Sequence, residues 1–153
     1  MLVPEDDLLV TATIYIASPP EAVWQVLTAF SHYAEWHPIL SLEGAAPGLE
    51  PGARLPFQLS GGTAGEQAFV AEVTEVAPPH LLGWQGGAVG VFFGRHTFKL
   101  QAHPGGGTRY TETERWSGTM AASVIAEHRA DLEQEYERIV AALKEQAERA
   151  HAG

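Results

Sequence analysis

The feature that most restricts this chain is a long helix with little but strands to cover it. Residues 109–116 alternate as a strand, pass through Ser117-Gly118, and give way to a helical pattern from Met120 to about Ala147. Val124, Ile125, Leu132, Tyr136, Ile139, Val140, Leu143 and Ala147 recur at helical spacing and form one apolar stripe. A helix of about 30 residues is far longer than the usual three turns. Its stripe needs cover, and a sheet curved around the helix is the economical solution. Such a wrap leaves a hollow between sheet and helix, where a ligand site is expected.

The 153 residues suffice for one domain with a real core, taken as residues 1–153 with its body at about 8–148. No run of 18 apolar residues exists, so no membrane span is expected. The start, Met1-Leu-Val-Pro-Glu-Asp-Asp7, is acidic and unlike a secretory signal, and a cytoplasmic location is expected. Cysteine is absent, which removes disulfides, thiolate nucleophiles and Cys-based metal sites. A formal charge of −10, with scattered basic residues, opposes nucleic-acid binding.

Residues 10–16 alternate as a first strand, with Val10, Ala12, Ile14 and Ile16 on one face. Ser18 is a candidate helix cap, with Pro19 and Pro20 at the helix start and Glu21 three residues on. Val23, Trp24, Val26, Leu27 and Phe30 give a short amphipathic helix, and Trp24 reads as plain core. A second short helix ends at Pro38. Strands are expected at 39–43, 54–59, 67–76, 81–85, 92–102 and 108–116, with a bulge near Thr74-Glu75. Residues 44–52 and 86–90 read as loops, the latter flexible, and both are candidate gates to the hollow. The class is α+β: seven strands, two short helices between the first and second strands, and the long helix last.

The turn His103-Pro-Gly-Gly-Gly107 sets the register of the last hairpin. Pairing Ala102 with Thr108 sets Phe98 against Glu112, His96 against Glu114 and Gly94 against Trp116. The face of His96, Phe98 and Leu100 is the apolar one, so Tyr110, Glu112, Glu114 and Trp116 turn toward the helix, and a slip of one residue would reverse this. Two carboxylates and an imidazole would then line an apolar interior, where burial raises carboxylate pKa values. His96, Glu112 and Glu114 are therefore the candidate acid–base residues, against the plainer reading of a salt bridge at the rim. Trp36, Trp84, Phe92, Phe98, Tyr110 and Trp116 are candidate cavity walls, with Val124 and His128 from the helix stripe, although each also suits ordinary core. His32 and His37 lie five apart and off a common helical face, so no metal site is expected. The glycine clusters lack the Gly-Lys-Ser/Thr of a phosphate loop.

Several segments carry a family likeness. They are Ile16-Ala-Ser-Pro-Pro-Glu-Ala-Val-Trp-Gln-Val-Leu-Thr28, Phe30-Ser-His-Tyr-Ala-Glu-Trp-His-Pro38, Pro51-Gly52 and Val73-Thr-Glu-Val-Ala-Pro78 with Leu82 and Trp84. Phe93-Gly-Arg-His-Thr-Phe98 and Gly107-Thr-Arg-Tyr-Thr-Glu-Thr-Glu-Arg-Trp-Ser-Gly118 complete the set. Over residues 8–148 the chain resembles the START/Bet v 1-like helix-grip superfamily (SRPBCC), and within it the bacterial polyketide cyclase/dehydrase-like group. The resemblance implies a seven-stranded antiparallel sheet gripping the C-terminal helix around an apolar cavity for lipids, polyketides, sterols or other metabolites. In the cyclases of the superfamily, cavity polar residues orient a poly-β-ketone for aldol closure. His96, Glu112 and Glu114 would take that part here, without a residue-by-residue match to any one cyclase. Oxygenase relatives carry an N-terminal iron–sulfur domain, which is not expected here.

Three functions follow as expectations. The first is binding of a small hydrophobic ligand such as a lipid, polyketide or aromatic metabolite, by a monomer or homodimer. The second is a cyclase or dehydratase working by proton transfer without a cofactor. The third is an interaction protein whose core is filled by its own side chains. Fold alone does not choose among them.

Overall fold

A computed structural model describes residues 8–152; the acidic start, residues 1–7, lies outside them. Strand β1 (Leu9–Ile16) leads into helix α1 (Pro20–Thr28) and a 3-10 helix, η1 (Phe30–Glu35). Strands β2 (Leu40–Leu42), β3 (Arg54–Leu59), β4 (Gln67–Ala77), β5 (Leu81–Ala88), β6 (Phe92–Ala102) and β7 (Thr108–Ser117) follow, and α2 (Ala121–Ala152) closes the chain. The seven strands form one antiparallel sheet in the order β1-β7-β6-β5-β4-β3-β2. The sheet is a meander from β2 to β7, and β1 pairs with β7 across about 100 residues of sequence. The sheet curls around α2, whose 32 residues extend about 48 Å at 1.5 Å per residue.

Period-2 patterning positions the inner face. Val10, Ala12 and Ile16 of β1 are buried, as are Leu55 and Phe57 of β3 and Phe98 and Leu100 of β6. The helix answers with Ile125, Leu132, Tyr136, Ile139, Val140, Leu143 and Ala147, all buried. The bulge falls between Val73 and Glu75, where β4 and β5 change register. On the outer face, Thr11 and Thr13 of β1 hydrogen-bond Thr113 and Thr111 of β7 at 3.0 and 3.2 Å.

Both ends of α2 are pinned. Near its C-terminus, Lys144 Nζ donates to the Tyr15 carbonyl at 2.9 Å and to Glu148 at 2.6 Å. Glu148 in turn accepts the Ala17 N–H at 2.8 Å. Near its N-terminus, Met120 N–H donates to the Val91 carbonyl at 2.8 Å, docking the helix start on the β5–β6 turn. Gly118 makes this approach feasible. Its φ is +107°, and a Cβ there would lie inside the Val91 backbone.

Three expectations need correction. Ser18 does not cap α1: Pro19 occupies the cap position, and the Ser18 hydroxyl donates instead to the Ala147 carbonyl at 3.3 Å. The long-range bond wins because the α2 terminus is packed against this corner. Gly86, Gly87 and Ala88 are not loop but strand, paired with Gly94, Phe93 and Phe92. Without side chains to clash, glycine tolerates Phe69 of the neighbouring strand lying over Gly86. The long helix also runs five residues past Ala147, to Ala152.

Candidate functional site

Between the concave face of the sheet, η1 and the middle of α2 lies a hollow of about 650 Å³. Its walls are mostly apolar. All eleven residues singled out from the sequence border it: Trp36, Trp84, Phe92, His96, Phe98, Tyr110, Glu112, Glu114, Trp116, Val124 and His128. The hairpin register is the expected one, with His96 opposite Glu114 and Phe98 opposite Glu112.

Aromatic rings stiffen the wall. Phe92 stacks on Trp116 at 4.4 Å, and Trp84 packs against Phe98 at 4.6 Å and Phe57 at 5.3 Å. Trp36 leans on Tyr33 at 5.1 Å. Val124 and His128 stand at the rim on α2; the His128 side chain is 38% exposed, so it belongs to the mouth rather than to the interior.

Glu112 and Glu114 project from one side of β7, as residues two apart on a strand must, and are only 5% and 4% exposed. Each has its own partners. Glu114 Oε2 lies 2.6 Å from His96 Nε2, while its other oxygen accepts the Tyr136 hydroxyl from α2. Glu112 Oε1 accepts the Tyr110 hydroxyl at 2.8 Å. Gly94 makes the room: a Cβ at that position would overlap Glu114 Oε2 and crowd the Trp116 ring.

The electrostatics follow from burial and pairing. Burial lifts the Glu112 carboxyl from 4.5 to about 7, against the Tyr110 hydrogen bond and the His96 charge and with help from Glu114. Burial likewise raises Glu114, with His96 opposing. At His96 burial pulls down, but the Glu114 carboxylate outweighs it and the imidazole titrates above 6.5. His96 and Glu114 thus each favour the charged form of the other, while Glu112, at about 7, divides between its acid and its carboxylate near neutral pH. Burial pushes the Tyr110 and Tyr33 phenols well above 10, and both stay protonated. The cluster holds a coupled imidazole–carboxyl pair beside a carboxyl that can give or take a proton near pH 7.

Three residues that sequence reasoning left out of the site also shape it. Tyr136 was read as part of the apolar stripe, yet a phenol on a buried stripe must find an acceptor, and it finds Glu114. Glu135 is 7% exposed and accepts the Thr63 N–H at 2.6 Å, tying α2 to the β3–β4 loop beside the mouth. Its contact requires Gly62, where a Cβ would sit 2.5 Å from Glu135 Oε1. His37 borders the hollow as well, and its Nδ1 accepts the N–H groups of Ile39 and Leu40 at 3.2 and 3.0 Å. Burial, with nearby His96, lowers its pKa from 6.5 to about 3, so His37 is neutral. The signal for His37 was the Pro38 that stops the helical segment and leaves the next amides needing an acceptor.

The sequence matches the model of the family described as polyketide cyclase/dehydrase and lipid transport over residues 7–148. The chain belongs to that family. No curated protein matches it in sequence. Solved structures of the same helix-grip, SRPBCC fold include protein NE0264 from Nitrosomonas europaea, with 19% identity, 96% of this chain and 98% of that one covered, and a TM-score of 0.75. Protein Ms6760 from Mycobacterium smegmatis is 19% identical, with 93% and 91% covered and a TM-score of 0.74. The Zhui aromatase/cyclase from Streptomyces sp. R1128 is 16% identical, with 92% and 93% covered and a TM-score of 0.73. At these identities the likeness is one of fold. The family's fold supplies a cavity able to take a small hydrophobic molecule, and no helix among the described residues is long and apolar enough to cross a membrane.

Proposed function

We propose that this family member binds a small, largely apolar molecule in the hollow, with His96, Glu112 and Glu114 contacting its polar end. The observation that carries the reading is a cavity of about 650 Å³ whose apolar wall encloses an ion pair and a further carboxyl. A self-filled core would leave no such space, which disfavours the interaction-protein alternative. Desolvating three ionisable groups costs stability that an apolar lining would not, so a role for them beyond packing is the economical account. The test is native mass spectrometry of freshly purified protein, followed by extraction of whatever co-migrates, and titration with the apolar fluorophore N-phenyl-1-naphthylamine. Saturable binding of one fluorophore per chain is expected. Absence of both a co-purified molecule and saturable binding would refute the reading.

A second reading, proton-transfer catalysis of the cyclase or dehydratase kind, is favoured by one observation: Glu112 borders the cavity almost wholly buried, and that burial pushes its carboxyl up to about 7. In that role Glu112 as carboxylate removes a proton from carbon beside a carbonyl and returns it as acid. The His96–Glu114 pair holds the imidazolium that steadies the enolate. The measurement is deuterium uptake from heavy water at the acidic carbon of 2-acetyl-1-tetralone, followed by NMR. Saturable acceleration that falls at least about 100-fold in Glu112→Gln is expected; equal rates in the two proteins would remove catalysis from the account.

A further inference from the structure

The two buried carboxyls of the cavity are not equally provided for. Glu114 has a partner for each oxygen, the His96 imidazole at 2.6 Å and the Tyr136 hydroxyl. Glu112 has one bonded oxygen. Its Oε1 accepts the Tyr110 hydroxyl at 2.8 Å, and its Oε2 accepts nothing from the described residues. Nor does any cationic group among those residues lie within ion-pair distance of Glu112. Its neighbours explain why. Across the sheet it faces Ala12 of β1 on one side and Phe98 of β6 on the other, and neither side chain carries a donor. Glu112 is 5% exposed and borders the hollow, and Oε2 keeps surface open to that space. An unpartnered acceptor on an almost fully buried residue thus opens into an apolar cavity, where it costs stability until a donor or a cation meets it.

We infer that Glu112 is an ammonium-binding site, and that the cavity takes an amine, with an apolar, ring-bearing body and a protonated nitrogen at its buried end. The nitrogen supplies both things that Glu112 lacks, an N–H donor for Oε2 and a counter-ion. The wall favours a cation there. Three carboxyls border the hollow, Glu112, Glu114 and Glu135, against His96 in the interior. His37 is neutral, His128 stands at the mouth, and Arg54 is exposed at the start of β3. The aromatic rings of the wall offer π faces, which attract ammonium groups. One of them, Phe98, lies directly opposite Glu112 and packs on Trp84 at 4.6 Å. A carboxylate ligand would meet the acids instead and is disfavoured. This inference rests on the cavity-binding reading and adds the chemical class of the ligand.

The test titrates the full chain with 2-(2-naphthyl)ethylamine and its uncharged isostere 2-propylnaphthalene, each by displacement of N-phenyl-1-naphthylamine. The result is read as the ratio of amine to hydrocarbon affinity, so that changes in the cavity as a whole cancel. The amine stays protonated up to about pH 9. The ratio is expected to be about tenfold higher at pH 8 than at pH 6, because the ammonium needs the Glu112 carboxylate and Glu112 titrates at about 7. Other titratable groups share the hollow: Tyr110 and Glu114 on β7, His96 on β6, Tyr33 on η1, and Glu135 and Tyr136 on α2. Glu112→Gln separates Glu112 from them. In the variant the ratio is expected to lose most of its pH dependence and to fall by about tenfold or more at pH 8. A ratio unmoved by pH or by the substitution, or an amine that fails to displace the fluorophore, overturns the ammonium site while leaving cavity binding intact. Absence of saturable binding by the fluorophore itself overturns the cavity reading together with it.

Discussion

Replacing Gly94 with alanine is expected to destabilise the protein by about 3 kcal/mol, within the range for breaking a buried charged pair, and to abolish ligand binding. The added methyl occupies the place of Glu114 Oε2 and crowds the Trp116 ring. Gly94 lies mid-strand on β6, opposite Trp116, so the backbone cannot retreat without breaking ladder bonds on both sides. The Glu114 carboxyl must therefore swing away, leaving the buried His96 ring without its partner and the Tyr136 hydroxyl without its acceptor. Thermal unfolding reads the stability loss, and for a chain of this size a fall of roughly 6–12 °C corresponds to it. N-phenyl-1-naphthylamine titration reads the site. A variant with native melting and native binding would show that Glu114 has a second equivalent position, and the account of the pair would fail.

Glu112→Gln is expected to do the reverse for stability. A carboxyl raised from 4.5 to about 7 on folding keeps its proton longer in the native state than in the unfolded chain. Stability therefore falls as pH rises through that interval, by roughly 3 kcal/mol at about 1.4 kcal/mol per pH unit. His96 and Glu114, both raised, lose stability in the same direction; His37, lowered to about 3, gains stability as pH rises toward 6.5. The comparison of variant with native protein isolates Glu112 from these. Gln accepts the Tyr110 hydroxyl without a charge to desolvate. The two proteins should match near pH 4, and the variant should be about 1–3 kcal/mol more stable at pH 8. Chemical denaturation at both values measures the difference. A gap that does not change with pH would mean that Glu112 titrates like an exposed carboxyl. A stabilising substitution that also removes proton transfer would mark Glu112 as retained at a cost in stability.

The site was legible where its geometry is local. Two carboxylates two residues apart share a strand face by backbone pleat alone, and a five-residue turn sets which residues of β6 they meet. Tyr136 and Glu114 are 22 residues apart on different elements, and nothing in the spacing of either announces their bond. His37 was visible as a histidine beside a proline, but its tautomer is decided by where the chain turns after Pro38. Ser18 illustrates the opposite failure: a sound local rule assigned it to α1, and the end of α2, 129 residues away, claimed its hydroxyl.

Alternating and helical periodicity, with the turn residues between them, determined the order of elements, the inner face of the last hairpin and the residues that border the cavity. These depend on backbone sterics and on the removal of apolar surface from water, both written residue by residue. Only the tertiary structure decided how far α2 stands from the sheet, and so the volume of the hollow, the pairing of Glu114 with Tyr136 and the separate bonding of Glu112. That distance is set by many side chains packing at once, and the free energy of a buried charge depends on every group around it, not on its neighbours in sequence.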